Sequence, residues 1–123
     1  MEGRRKILLI DNSADRKDRI RTLKDKGFGV YPALKIAEAR NRCKPGSYDM
    51  IVVDSGEDQN VALELCDSLR TRSPKQLLLL MAAKENPSPV RDYVVSRDPV
   101  TLAEKVEVLL GHRTESAEFG LVA

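Results

Sequence analysis

Two aspartates stand where chemistry is easiest to build. Asp11 directly follows the run Lys6-Ile7-Leu8-Leu9-Ile10, and Asp54 directly follows Met50-Ile51-Val52-Val53. An acid closing a short apolar run is often only a helix cap or a turn residue, and for either aspartate alone that plain reading has equal standing. The pair says more if the two runs are neighbouring strands, because both carboxylates then converge on one crevice beyond the sheet edge. Two carboxylates held close repel, so such a site must either raise a pKa or hold a cation. A hard divalent ion such as Mg²⁺ takes oxygen ligands, and Asp11, Asp54 and a backbone carbonyl just after Asp54 would suit one.

Other chemistries find few parts. Cys43 and Cys66 show no CxxC spacing, and the single histidine, His112, lies close to the C-terminus. Zinc is excluded, and both thiols are expected to be small, partly buried hydrophobes of a reduced cytoplasmic protein. Neither a Ser-His-Asp nor a Cys-His set can be assembled around His112. No GxGxxG and no Walker lysine motif occurs, which leaves a flavodoxin-like cofactor carrier or small enzyme as a weaker alternative.

The acids need elements to position them. Ile7 to Ile10, Met50 to Val53, Leu77 to Met81 and Tyr93 to Val95 are apolar without alternation, as strands covered on both faces are. Phe28 to Tyr31 is a weaker fifth strand, begun after Gly27 and stopped by Pro32. A first helix is expected from a Ser13 cap to Lys26, with Ala14, Ile20 and Leu23 inward and Gly27 ending it. A second spans 34–43, and a third runs from about Gln59 to Thr71 with Val61, Leu65 and Leu69 on its stripe. In the last helix Asp98 caps, Pro99 takes the first position, and Leu102, Val106, Leu109 and Leu110 face inward before Gly111. The expected fold is α/β, a doubly wound five-stranded parallel sheet; if its order is 2-1-3-4-5, the first and third strands are neighbours.

The bulk numbers agree with one domain. The chain has 123 residues, 41% of them apolar and 33% charged, a globular profile. A net charge of +2 with two Phe, three Tyr and no Trp gives no platform for direct nucleic-acid binding. No apolar run approaches the roughly 20 residues of a membrane span, and no signal core follows the basic residues at 4–6, so neither membrane nor export is expected.

At this point four stretches acquire a common meaning: Lys6 to Ser13, Tyr48 to Asp54, Ala62 to Arg70 and Tyr93 to Ser96. Their order, with 43 residues from Asp11 to Asp54, resembles the receiver (CheY-like) domain of bacterial response regulators. The resemblance covers about 5–110, with 111–123 as a linker or disordered tail. It implies the sheet order 2-1-3-4-5, and that Asp54 accepts a phosphoryl group from a sensor histidine kinase. It also implies that Asp11, Asn12, Asp54 and the Gly56 carbonyl hold a weakly bound Mg²⁺. A kinase or other signalling protein, an attached or separate output domain, and a homodimer are the implied partners. The closing Glu118-Phe-Gly-Leu-Val-Ala123 resembles the start of the ATPase domain in NtrC-type transcriptional activators.

The pattern also departs from that family. Ala82 stands where a phosphate-binding hydroxyl is usual, and Ser96-Arg97-Asp98 where a Lys-Pro pair is usual. One step along a strand turns a side chain to the opposite face, so Arg97 is not expected to replace the lysine. Asn12 replaces a second acid. Only 14 positions separate Ala82 from Ser96, and they include Pro87 and Pro89, so a fourth helix should be shortened or absent there. Tyr93 occupies the place of a mobile aromatic and is read as half-buried packing. The mixed-charge first helix, with Arg16, Lys17, Arg19, Arg21, Lys24 and Lys26, is read as a solvated face rather than a docking surface. Two readings follow: a working receiver with reduced Mg²⁺ affinity, or a degenerate one that keeps the fold and acts by protein contact. The second is preferred.

Overall fold

The computed structural model describes residues 4–44, 46–54, 59–82 and 94–110. Its elements in chain order are β1 (Lys6–Ile10), α1 (Arg16–Asp25), β2 (Gly29–Ala33), α2 (Ile36–Arg40), β3 (Met50–Asp54), α3 (Gln59–Arg72), β4 (Leu77–Ala82), β5 (Val94–Ser96) and α4 (Pro99–Leu110). The strands form one sheet ordered β2-β1-β3-β4-β5 with every pairing parallel. That is the expected doubly wound α/β fold.

The central strands form because their side chains are apolar on both faces. Ile7 to Ile10, Met50 to Val53 and Leu78 to Met81 are all buried. Helices α1 and α4 pack on each other, and α2 packs with α3, which makes the two covering layers. From α3 come Ala62, Leu65, Cys66 and Leu69; from α4 come Leu102, Ala103, Val106 and Leu110. Cys43 and Cys66 are both buried, as expected, and burial raises the Cys43 thiol.

Gly27 ends α1 as its lack of a Cβ predicts. At φ +98° its N–H meets the Lys24 carbonyl at 2.9 Å, and Phe28 N–H meets the Leu23 carbonyl at 3.3 Å. These two bonds make a Schellman motif, with Phe28 and Leu23 both buried beneath it.

Four local expectations are corrected. Pro32 lies inside β2 instead of stopping it; β2 is an edge strand, where a missing N–H is tolerated. The second helix is only Ile36–Arg40, since Lys35 is extended with no capping side chain and Arg42 N–H bonds back to the Ala39 carbonyl at 2.8 Å. Leu109 is exposed and Ala103 buried in its stead, because the buried arc of α4 ends just short of Leu109. In α1, Ser13 does not cap: the helix starts at Arg16, Ala14 is exposed, and Arg19 is buried beside Leu23. β5 begins at Val94, and the expected fourth helix, Tyr93, Gly111 and the tail lie outside the described residues. No described helix is long and apolar enough to cross a membrane.

Candidate functional site at the carboxyl edge of the sheet

Strand pairing brings the two acids together. β1 and β3 are neighbours with Ile10 opposite Val53, so Asp11 and Asp54 come next in register at the carboxyl edge. Asp11 is anchored by its own N–H, which donates to the Ala33 carbonyl at 2.9 Å and ties the end of β1 to the end of β2. Both side chains are buried, Asp11 to 2% and Asp54 to 8% exposure.

The site resolves their repulsion in a way the sequence reading did not include. Asp11 Oδ1 accepts from Ser13 N–H at 2.9 Å, closing an Asx turn, and from Ser13 Oγ at 2.7 Å. Asp11 Oδ2 accepts from Arg19 Nε at 2.7 Å. This ion pair is enclosed, with both side chains at 2% exposure or less. Arg19 Nη2 also donates to Ser13 Oγ, and Nη1 donates to the Arg97 carbonyl at 2.9 Å. From the same turn the Arg97 side chain reaches back, and its Nη2 meets Asp54 Oδ2 at 3.1 Å. Each carboxylate therefore faces a guanidinium, and the two pairs are joined through the backbone of Arg97.

Burial on its own would raise the Asp11 carboxyl. Hydrogen bonds from the Arg19 side chain and from the Ser13 hydroxyl and amide, with the guanidinium charge, outweigh that cost. Asp11 consequently sits below its ordinary value of 3.8 and is held ionised.

Arg97 lies where strand alternation did not place it. β5 ends at Ser96, so Arg97 belongs to the turn before α4 and strand alternation does not govern it. Ser96 is exposed, and its hydroxyl accepts the Asp98 N–H at 3.1 Å. Asp98 does cap α4: one carboxylate oxygen accepts both the Thr101 N–H and hydroxyl at 2.9 Å, bonds that hold its carboxyl below the ordinary value. Ala82 closes β4 opposite Ser96 and, being alanine, brings no hydroxyl. Asn12 is exposed, and Gly56 lies outside the described residues. A cleft of about 480 Å³ opens beside the network, lined by Asp15, Asp18, Arg19, Arg97, Asp98 and Pro99.

Arg19 is the site residue that sequence reading missed, having assigned it to a solvated face. The available signal was its place one turn before Leu23, on the same side of the helix.

The Mg²⁺ expectation can be tested against these donors. Both Asp11 oxygens are committed, and among the described residues no three His, Cys, Asp or Glu side chains gather to hold a metal. Among the described residues Asp11 and Asp54 each already pair with a guanidinium, so a divalent ion between them would lie beside a buried cation. The described residues as arranged do not fit a resident Mg²⁺.

No protein-family model matches the sequence, and no curated protein does. Solved structures match closely in shape. In the complex of histidine kinase ThkA with response regulator TrrA, the match is 23% identical, with a TM-score of 0.71 over 87% of this chain and 99% of that one. The chemotaxis response regulator CheY4 of Vibrio cholerae is 19% identical, with a TM-score of 0.71 over 85% of this chain and 98% of its own. A pilus assembly protein (cpaE) of Burkholderia thailandensis is 18% identical, with a TM-score of 0.66 over 83% and 94%. These likenesses establish that the chain has the fold of response-regulator receiver domains.

Proposed function

We propose that this receiver-fold chain is a regulatory module of two-component-type signalling that works by protein–protein contact, with its acidic pocket held by its own arginines instead of switched by phosphoryl transfer. The observation that carries the reading is the Asp54–Arg97 pair at 3.1 Å, joined through the Arg97 carbonyl to the buried Asp11–Arg19 pair. A phosphoryl group acts on a protein only through groups that pair with it. Of the positions where the family keeps its phosphate-pairing groups, one is an alanine at the end of β4, one is a serine whose hydroxyl accepts from Asp98, and the arginine that does reach Asp54 is already engaged. The partners consistent with this role are a sensor kinase or another signalling protein, and an output domain, attached or separate.

A second reading has one observation in its favour. Arg97 places a cation at Asp54, as a phosphoaspartate would require, so a phospho-accepting receiver with Arg97 in the lysine's role is the alternative.

Amide NMR before and after Mg²⁺ and then beryllofluoride, a phosphoryl mimic, separates the two. The first reading expects unchanged spectra at saturating reagent. Shifts that begin at Asp54 and spread to Arg97 and α4 would establish the second reading in its place.

A further inference from the structure

The surroundings of the Arg19 guanidinium are all oxygen: a carboxylate from Asp11, a hydroxyl from Ser13 and a main-chain carbonyl from Arg97. Carboxylate, hydroxyl and carbonyl oxygens set around one enclosed group, with a second carboxylate on the next strand, are the donor types a hard divalent cation takes. The point is occupied by a side chain that is 2% exposed and whose Nε and both terminal nitrogens find partners. A guanidinium fits the place because its fork spreads three bonds over three elements, the end of β1, the turn before α1 and the turn before α4. Its charge also disfavours competitors, since a divalent ion near a buried cation meets repulsion less screened than it would be in open water.

We infer that Arg19 is the resident cation of this pocket: it takes the divalent ion's place, makes the chain independent of metal, and conceals a cation site that its removal would open. The inference deepens the reading of an arginine-held pocket and rests on it. The prediction runs against intuition, because deleting a positively charged residue should create binding where the intact protein has none.

Mn²⁺ is the probe, since it broadens the amide signals nearest to it, and Mg²⁺ is the competitor. In the intact 123-residue chain, millimolar Mn²⁺ should leave the amides of residues 10–13 and 53–54 no broader than others equally exposed. Arg19→Ala and the bulkier Arg19→Gln should show selective broadening there, reversed by Mg²⁺, with an affinity about tenfold or more above wild type. The double variant R19A/D11N should lose the effect. Should either variant fail to fold in metal-free buffer, recovery of a dispersed spectrum with Mg²⁺ supports the inference and failure to recover overturns it. Selective broadening in the wild type, or folded variants that ignore Mn²⁺, also overturns it. Wild-type Mn²⁺ binding without a beryllofluoride response would sink this inference while the contact-module reading stands. A beryllofluoride response without any wild-type Mn²⁺ site would do the reverse.

Discussion

At the scale of residues, the two arginines are unequal. Arg19 is enclosed with its carboxylate, whereas Arg97 keeps 30% of its side chain in solvent. Removing one partner of an enclosed pair strands the other charge, at a cost of about 3–5 kcal/mol. The more exposed pair is partly screened, and its loss costs on the order of 1 kcal/mol. Urea unfolding in metal-free buffer should therefore rank Arg19→Ala well below Arg97→Ala; equal losses would contradict the enclosed geometry. The acid limb gives a separate check. Asp11 is depressed on folding, so its contribution is present above the unfolded-state pKa and is lost as pH falls through the folded one. Stability should then decline below its ordinary value of 3.8, and Asp11→Asn should flatten that part of the urea-midpoint profile. The sequence made Asp11 and Asp54 legible because each closes an apolar run. It hid Arg19, because one charged residue among many on a helix is indistinguishable from a solvated one until its face is known.

At the scale of elements, legibility followed burial. β1, β3 and β4 were readable because apolar runs covered on both faces leave few alternatives. α2 was read too long because little beyond Ala39 holds it down, and it ends after one turn or so. Pro32 misled because a proline breaks an interior strand but not an edge one. Arg97 was misjudged because strand alternation was carried on to a residue that lies just past the end of β5, in the turn before α4. The α1 terminus offers a clean test. Gly27 has nothing within 4 Å of where a Cβ would stand, yet its φ is +98°. Gly27→Ala should thus cost about 1 kcal/mol from conformation alone, and Gly27→Asn less, in thermal unfolding. A neutral alanine would mean that the turn relaxes.

At the scale of the whole molecule, sheet order does the assembling. Asp11 and Asp54 meet only because β1 and β3 are neighbours across a crossover; the alternation of elements made the doubly wound parallel sheet readable, and the resemblance implied its 2-1-3-4-5 order. The same order sets a gradient of protection. Hydrogen exchange should be slowest in β1, β3 and β4 and faster in β2 and the three-residue β5 at the two edges. Uniform protection across the sheet would argue against that order of stability.

The edges also constrain how another protein can approach. In β2 the N–H of Gly29 donates toward β1, and the Ala33 carbonyl accepts from Asp11, so the intervening Val30 and Pro32 present their backbone outward. One of those two has no N–H to offer. Among the described residues the opposite edge is three residues long. Neither described margin offers a long ladder of free N–H groups, which disfavours recruiting a peptide by sheet extension there and stacking with its own copies into fibrils. A partner of the kind proposed would then read side chains on helices such as α1 and α4 in place of a free strand edge.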